Sequence, residues 1–223
     1  MPTSRHAIDQ DYLSELMNAF PVDSASPVDL KTAQRKIQLR HNVLSWENRV
    51  ELLEIFTEES FFQDIKLLPK TLHLILYKNI LSNAGDYRQS YEPNSGVVRF
   101  GPAREYCGTP PDYIGKRITQ AVSLLEKHSL EPIHCALKFY QRFVYIHPFY
   151  DANGRIGRFI ASLYLHYHQF IIDWEHLERN GKWLKTLNAC HDRMTADSVV
   201  YERFVGYMVY HWSKSIHQFS HDE

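Results

Sequence analysis

Residues 147–158 read HPFYDANGRIGR. Pro148 has no N–H to donate and its ring clashes with a preceding helical turn, so a helix running into His147 must stop there. Upstream, IHCALKFYQRFVYI (133–146) places Ile133, Leu137, Tyr140 and Val144 at i, i+4, i+7 and i+11, one apolar face of a helix. His147 falls three residues further, on the edge of that face. Asn153-Gly154 is a turn dipeptide and Asn is a good N-cap, so a second helix is expected to begin near Gly154 and to run through FIASLYLHYHQF (159–170). The stretch is a helix–loop–helix junction, and it sets the class: a mainly helical protein.

The rest of the chain agrees. Nine Gly and ten Pro in 223 residues are too few for a molecule built of tight turns. YLSELMNAF marks a short helix around 9–19, followed by a linker with Pro21 and Pro27. From Leu30 a helical pattern continues to about Phe56, with Val43, Val50 and Leu53, together with Leu44, on one apolar face. KTLHLILYKNILSN (70–83) gives another helix, stopped by Asn83-Ala84-Gly85. DYRQSYEPNSGVVRFGP then changes texture. It reads as two short strands, about 87–91 and 97–100, joined by EPNSG. An isolated hairpin is marginal in water, so it should lie on the helical body as a flap. Further helices are expected near 174–193 and 198–218.

Bulk composition bounds the partners. The formal net charge is -1, which argues against a general nucleic-acid or membrane-surface binder. No apolar run is long enough to span a bilayer. MPTSRHAIDQDY lacks the apolar core of a signal peptide. Cys107, Cys135 and Cys190 form neither metal spacing nor a disulfide framework. A cytoplasmic protein is the expectation, with export as an effector left open.

The junction has a chemistry of its own. A helix N-terminus with Gly154 in its first turn suits a bound phosphate, because free N–H groups and the positive dipole end face it. Arg155 and Arg158 lie three apart, on one face, where the dipole disfavours cations unless a polyanion sits between them; Gly157 leaves room. Asp151, the only carboxylate in the loop, suits Mg²⁺ beside phosphates. His147 has a side chain suited to accepting a proton near neutrality. Singly, each residue has a plainer reading: a helix-capping or core His, a turn Asn-Gly, a solvated Arg pair. Jointly they describe phosphoryl or nucleotidyl transfer to a hydroxyl.

HPFYDANGRIGR resembles the Fic motif, H-x-F-x-[D/E]-[G/A]-N-[G/K]-R-x-x-R, at every fixed position. LPKTLHLILYKNIL with AGDYRQS (68–90), and WLKTLNACHDRMTADSVVYERFV (183–205), are similar to other parts of that family, so the resemblance covers about 65–215. It implies an all-α Fic fold with a small β-hairpin flap, an N-terminal helical segment over 1–60 and a catalytic domain over 61–223. It also implies protein adenylylation: AMP moves from ATP, with Mg²⁺, to a Ser, Thr or Tyr hydroxyl of a target protein laid along the flap. By that resemblance His147 is the base, Asp151 the Mg²⁺ ligand, Asn153 and Gly154 the anion hole, and Arg155 and Arg158 the phosphate clamps. Members that phosphorylate carry Lys at the position of Gly154, so Gly154 favours AMP transfer. Ala152 stands where Gly is commoner, within the family pattern. A homodimer is left open.

Many members are held off by a helix carrying [S/T]-x-x-x-E-[G/N], whose Glu pairs with the second motif Arg. The strict pattern is absent. VLSWEN (43–48) keeps Glu47-Asn48 with Val in place of Ser or Thr. Glu47 falls on the face marked by Val43 and Val50, and Arg158 is its expected partner. Ser198 to Glu202 is the competing segment, expected in an ordinary late helix. Two other functions stay in view: a Fic-shaped module that binds protein without catalysis, and a metal phosphohydrolase suggested by His191-Asp192 with His166 and His168 nearby. The last two are two apart and point to different helix faces.

Overall fold

The computed structural model describes residues 9–23, 28–44, 49–194 and 197–219. About 63% of it is helical. At the N-terminus, α1 (Gln10–Ala19) and α2 (Leu30–Val43) start on Asp9 and Asp29, whose carboxylates accept backbone N–H groups of Asp11 and Thr32 as N-caps. Then come α3 (Arg49–Ile55), α4 (Glu58–Asp64) and α5 (Leu68–Tyr77). After the flap follow α6 (Pro111–Val122), α7 (Pro132–Ile146) and α8 (Asn153–Tyr167), then α9 (Trp174–Arg179), α10 (Trp183–His191) and α11 (Ser198–Trp212).

α7 and α8 form the centre. Their short junction folds them back along each other, and α5, α6, α10 and α11 pack around the pair. α8 is apolar over most of its circumference: Ile156, Phe159, Ile160, Ala161, Leu163, Tyr164 and Leu165 are all buried. That is the pattern of a helix enclosed on all sides rather than lying on a surface. Gly157 allows α7 to come close, since a Cβ there would sit 3.1 Å from ring atoms of Tyr140 and Phe143. The space expected beside Gly157 for an anion is therefore filled by α7.

Elsewhere the structure corrects the sequence reading. The helix from Leu30 ends at Val43, and Val43 and Val50 are exposed, at 58% and 66%. The core positions of α2 and α3 are Ala33, Ile37 and Leu52. α5 stops at Tyr77, six residues before the expected end: Lys78 leaves the helical region (ψ 129°) and Asn79 then takes a left-handed φ of 61°. Arg40 of α2 donates to the carbonyls of Leu76 and Lys78, both at 2.9 Å, satisfying the end of α5.

The flap is also differently built. Residues 87–91 form no strand. Instead β1 (Arg99–Phe100) pairs antiparallel with β2 (Tyr106–Cys107), with Phe100 opposite Tyr106. Asn94 and Ser95, with φ of 54° and 53°, do make a hairpin-type turn. The arms beside it are drawn elsewhere: the carbonyl of Gly96 accepts from the Arg88 guanidinium, and that of Val98 accepts from Gly108 N–H at 3.0 Å. A second antiparallel pair, β3 (Phe170–Ile172) with β4 (Ile216–Gln218), fastens the segment after α11 to the end of α8.

Candidate functional site

α7 ends on His147, which takes the left-handed conformation (φ 51°, ψ 59°) as the helix C-cap. That region is uncommon for any residue but Gly, with His among the more tolerant exceptions. Its Nδ1 lies 3.2 Å from the Val144 carbonyl. A carbonyl can only accept, so Nδ1 carries the proton and the neutral ring offers Nε2 as the acceptor. Phe100 of the flap stacks on the imidazole, centroids 4.4 Å apart and planes within 12°. Burial pushes the His147 pKa down to about 4, with Arg88 and His191 adding to the shift, while the Val144 carbonyl and Asp151 oppose it. Near neutrality the ring is an uncharged base.

The loop after it is locked from inside. The Asn153 side chain accepts from the Phe149 N–H at 3.0 Å and donates to the Phe149 carbonyl at 2.8 Å. Asn153 is buried and is the first residue of α8; the N-cap is Ala152, left-handed at φ 64°. Asn153 is thus not the expected N-cap but a clasp that closes the junction. Phe149 stacks on His73 of α5 at 4.1 Å with near-parallel planes. His73 Nδ1 accepts the Gly85 N–H at 2.9 Å. Asn153→Ala would leave both buried Phe149 groups without partners, so urea unfolding should reveal a loss of about 2–4 kcal/mol; an unchanged midpoint would contradict the clasp.

Gly154, in the first turn of α8, is partly exposed, and a Cβ there would have no neighbour within 4 Å. The side of the helix start that it presents is open. Next to it Asp151 is held by two donors on one oxygen: Arg155 Nη2 at 2.8 Å and the Tyr77 hydroxyl. Burial raises the Asp151 pKa, but Arg155, Tyr77 and the Ala152 N–H outweigh it, and the net shift is downward. Asp151 is therefore a carboxylate. A lone carboxylate beside an open helix start fits Mg²⁺, which completes its octahedron with phosphate oxygens and water. It does not fit a metal held by protein ligands alone, and among the described residues no three His, Cys, Asp or Glu side chains cluster as such a site. His191, of the HD pair, is packed against Phe100, Tyr106 and Tyr145, and Asp192 accepts from the Tyr106 hydroxyl at 3.0 Å. The pair anchors the flap.

Arg155 and Arg158 go to different neighbours. Arg158 pairs with Glu178 of α9, and its guanidinium carbon lies 5.3 and 5.1 Å from the rings of Trp174 and Trp183. Burial would lower its pKa, but Tyr140 and Glu178 reverse the shift and raise it. The expected ion pair to Glu47 involves a residue outside those described. The carboxylate found on Arg158 is Glu178. Of the face marked by Val43, Leu44, Val50 and Leu53, Val43 and Val50 are exposed, while Leu44 and Leu53 are partly buried against the core. Glu202, on the competing segment, pairs with Lys138 at 2.7 Å inside α11, an ordinary late helix.

Residues 67–165, which span α5, the flap and this whole junction, match the model of the Fic/DOC family. They are a Fic domain. The family is known in general for transferring nucleotide groups onto proteins. Among solved structures, the chain resembles a Fic domain-containing signaling protein from Bacteroides thetaiotaomicron VPI-5482, at 19% identity and a TM-score of 0.57. That match covers 93% of this chain and 82% of that one. It also resembles the N-terminal Fic domain of a VirB-translocated Bep effector protein from Bartonella quintana, which has bound ADP. There the identity is 14%, the TM-score 0.53, and the coverage 90% and 95%. These likenesses establish the fold. No curated protein matches the chain. Among the described residues no helix is long and apolar enough to cross a membrane.

Four residues that the sequence did not single out shape this Fic domain's site: Tyr77 on Asp151, His73 under Phe149, Phe100 over His147, and the fully buried Arg88. The domain also carries an acid liability. Burial lowers the pKa of His73 to about 3, and those of His147 and His191 to about 4, from 6.5. The unfolded chain binds these protons first, so the stability they contribute is complete above pH 6.5 and is lost as pH falls towards 4. Each group costs up to about 1.4 kcal/mol per pH unit in that window. Urea midpoints should fall from pH 7 to pH 5, with net proton uptake on unfolding; a flat profile would contradict the burial of neutral imidazoles.

Proposed function

We propose that this Fic domain transfers AMP from ATP to a Ser, Thr or Tyr hydroxyl of a target protein. The observation that carries the reading is His147: a neutral ring whose Nδ1 is bound to the Val144 carbonyl, leaving Nε2 to accept a proton. It stands at the end of α7, one junction away from the open start of α8 at Gly154. The hydroxyl oxygen attacks the α-phosphorus, its proton passes to His147 Nε2, and the bond to the β-phosphate oxygen breaks, releasing pyrophosphate. In this reading the first-turn N–H groups of α8, with Arg155, would hold the phosphates. Asp151 would hold Mg²⁺, which neutralises phosphate charge when bound. Gly154, where phosphorylating members carry Lys, supports AMP rather than phosphate as the group moved. The target would lie along the β1–β2 flap by strand addition.

The test is incubation with ATP and Mg²⁺, labelled once at the α- and once at the γ-phosphate, with candidate proteins. Protein-bound label from the α-phosphate alone supports AMP transfer. Label from the γ-phosphate alone would replace it with kinase chemistry. One observation favours a second reading, a protein-binding module without transfer: Phe100 covers a face of the His147 ring. That reading expects target capture with no label from either position.

A further inference from the structure

Arg88 lies between α5 and the flap and is 1% exposed, among the largest side chains buried completely. No carboxylate among the described residues pairs with it. Its donors go to main-chain carbonyls instead. Nε donates to the carbonyl of His147 at 2.8 Å, Nη2 to those of Thr109 at 2.9 Å and Ile146 at 3.4 Å, and Nη1 to that of Gly96. Its own N–H donates to the Pro148 carbonyl at 3.0 Å. The carbonyls of three successive residues, 146 to 148, thus all converge on Arg88. Those of Ile146 and His147 are groups that a helix end leaves without intrahelical donors, and that of Ile146 also accepts from the Thr109 N–H at 3.0 Å.

A buried cation without a counter-ion is expensive, and a position needing only packing would take an apolar residue. What Arg88 holds is unusual in its own right: a left-handed His at a helix terminus, followed by proline. Left-handed backbone at a non-glycine residue persists where surrounding bonds over-determine it. The same guanidinium ties the flap at Gly96 and Thr109, so the ring that covers His147 and the peptide that carries it share one anchor.

We infer that Arg88 is a positioning residue for His147, fixing the backbone from which the imidazole projects and holding the flap in register above it. The inference rests on the proposed role of His147 as base, but its central consequence is visible without turnover. The planar fork is required, because a lysine ammonium cannot reach carbonyls spread over Gly96, Thr109, Ile146 and His147.

The experiment is ¹⁵N NMR of histidine-labelled protein, with the His147 ring assigned by its loss in His147→Ala. Wild type should show His147 as a single Nδ1–H tautomer. In Arg88→Lys, with circular dichroism unchanged, the ring should become a tautomer mixture. The transfer kcat should fall by roughly 10²-fold while KM for ATP stays within about twofold, the pattern of a displaced base rather than a lost binding site. Arg88→Ala with millimolar guanidinium added is the second arm and should recover the single tautomer. An unchanged His147 spectrum in folded Arg88→Lys would overturn the inference. So would loss of the fold in both variants, which would make Arg88 a structural residue only. If wild type transfers no label at all, the proposed reaction fails, yet the tautomer readout still decides the role of Arg88.

Discussion

Replacing His147 should reduce transfer of the α-phosphate label by roughly 10²–10⁴-fold, the range that a positioned general base contributes. The choice of substitute matters, because His147 is left-handed and stacks on Phe100. Ala removes the base but also prefers another backbone conformation, so lost activity could be confused with a disturbed loop. Asn tolerates φ above zero far better. His147→Asn should therefore stay close to wild type in urea unfolding while losing activity as severely as His147→Ala. The pH profile adds a signed check. His147 is held below its ordinary pKa by burial, so its base form persists as pH falls below 6.5. Transfer by the wild type should persist through pH 6, with no loss attributable to imidazole protonation at that pH. A profile that collapses between pH 7 and 6 with the protein still folded would remove His147 as a desolvated base.

Glu178→Ala should be the most destabilising single change at the site. The Glu178 and Arg158 side chains are 15% and 18% exposed, so the pair is largely out of water. Removing one partner of a buried ion pair leaves the other charged and uncompensated, at about 3–5 kcal/mol. For a chain of this length that corresponds to a fall of roughly 10 °C in Tm. The stacked Trp174 and Trp183 rings recover part of it through cation–π attraction. A double-mutant cycle with Arg158→Met separates the pair from its surroundings: the double variant should be more stable than Glu178→Ala alone. If all three variants unfold at the wild-type Tm, the pair contributes nothing. Measuring label transfer by Glu178→Ala also asks whether Arg158, freed from its carboxylate, changes how ATP is handled.

The helical class, the junction and its boundaries were legible because proline and an apolar period of 3.6 residues act locally. His147 is at the helix end, and α8 begins one residue before Gly154. What was not legible depends on partners far away in sequence. Asn153 reads as a cap and is a clasp, because the groups it binds belong to Phe149 inside the same loop. Gly157 reads as room for a ligand, but α7 fills that room with Tyr140 and Phe143. Arg158 reads as the mate of Arg155 from their spacing, yet α9 and α10 draw it into a cage of Trp174, Trp183 and Glu178. The flap was misplaced for a similar reason. Its turn chemistry at Asn94 and Ser95 is real, but the Arg88 guanidinium takes Gly96, and residues 98–100 pair downstream. One sequence signal does point to the site: His73 and Tyr77 sit at i and i+4 among leucines in α5, two polar groups on a face that is otherwise core.

The two hydrogen bonds between Asn153 and Phe149, with Phe149 wedged against His73, turn residues 149–153 into a closed ring of fixed circumference. Such a ring can trade side chains at its rim but cannot change its number of links. A single residue inserted or deleted there would change the spacing at which Asn153 meets both backbone groups of Phe149, and the ring could not close. The junction therefore tolerates a change of side chain at its rim far better than a change of length.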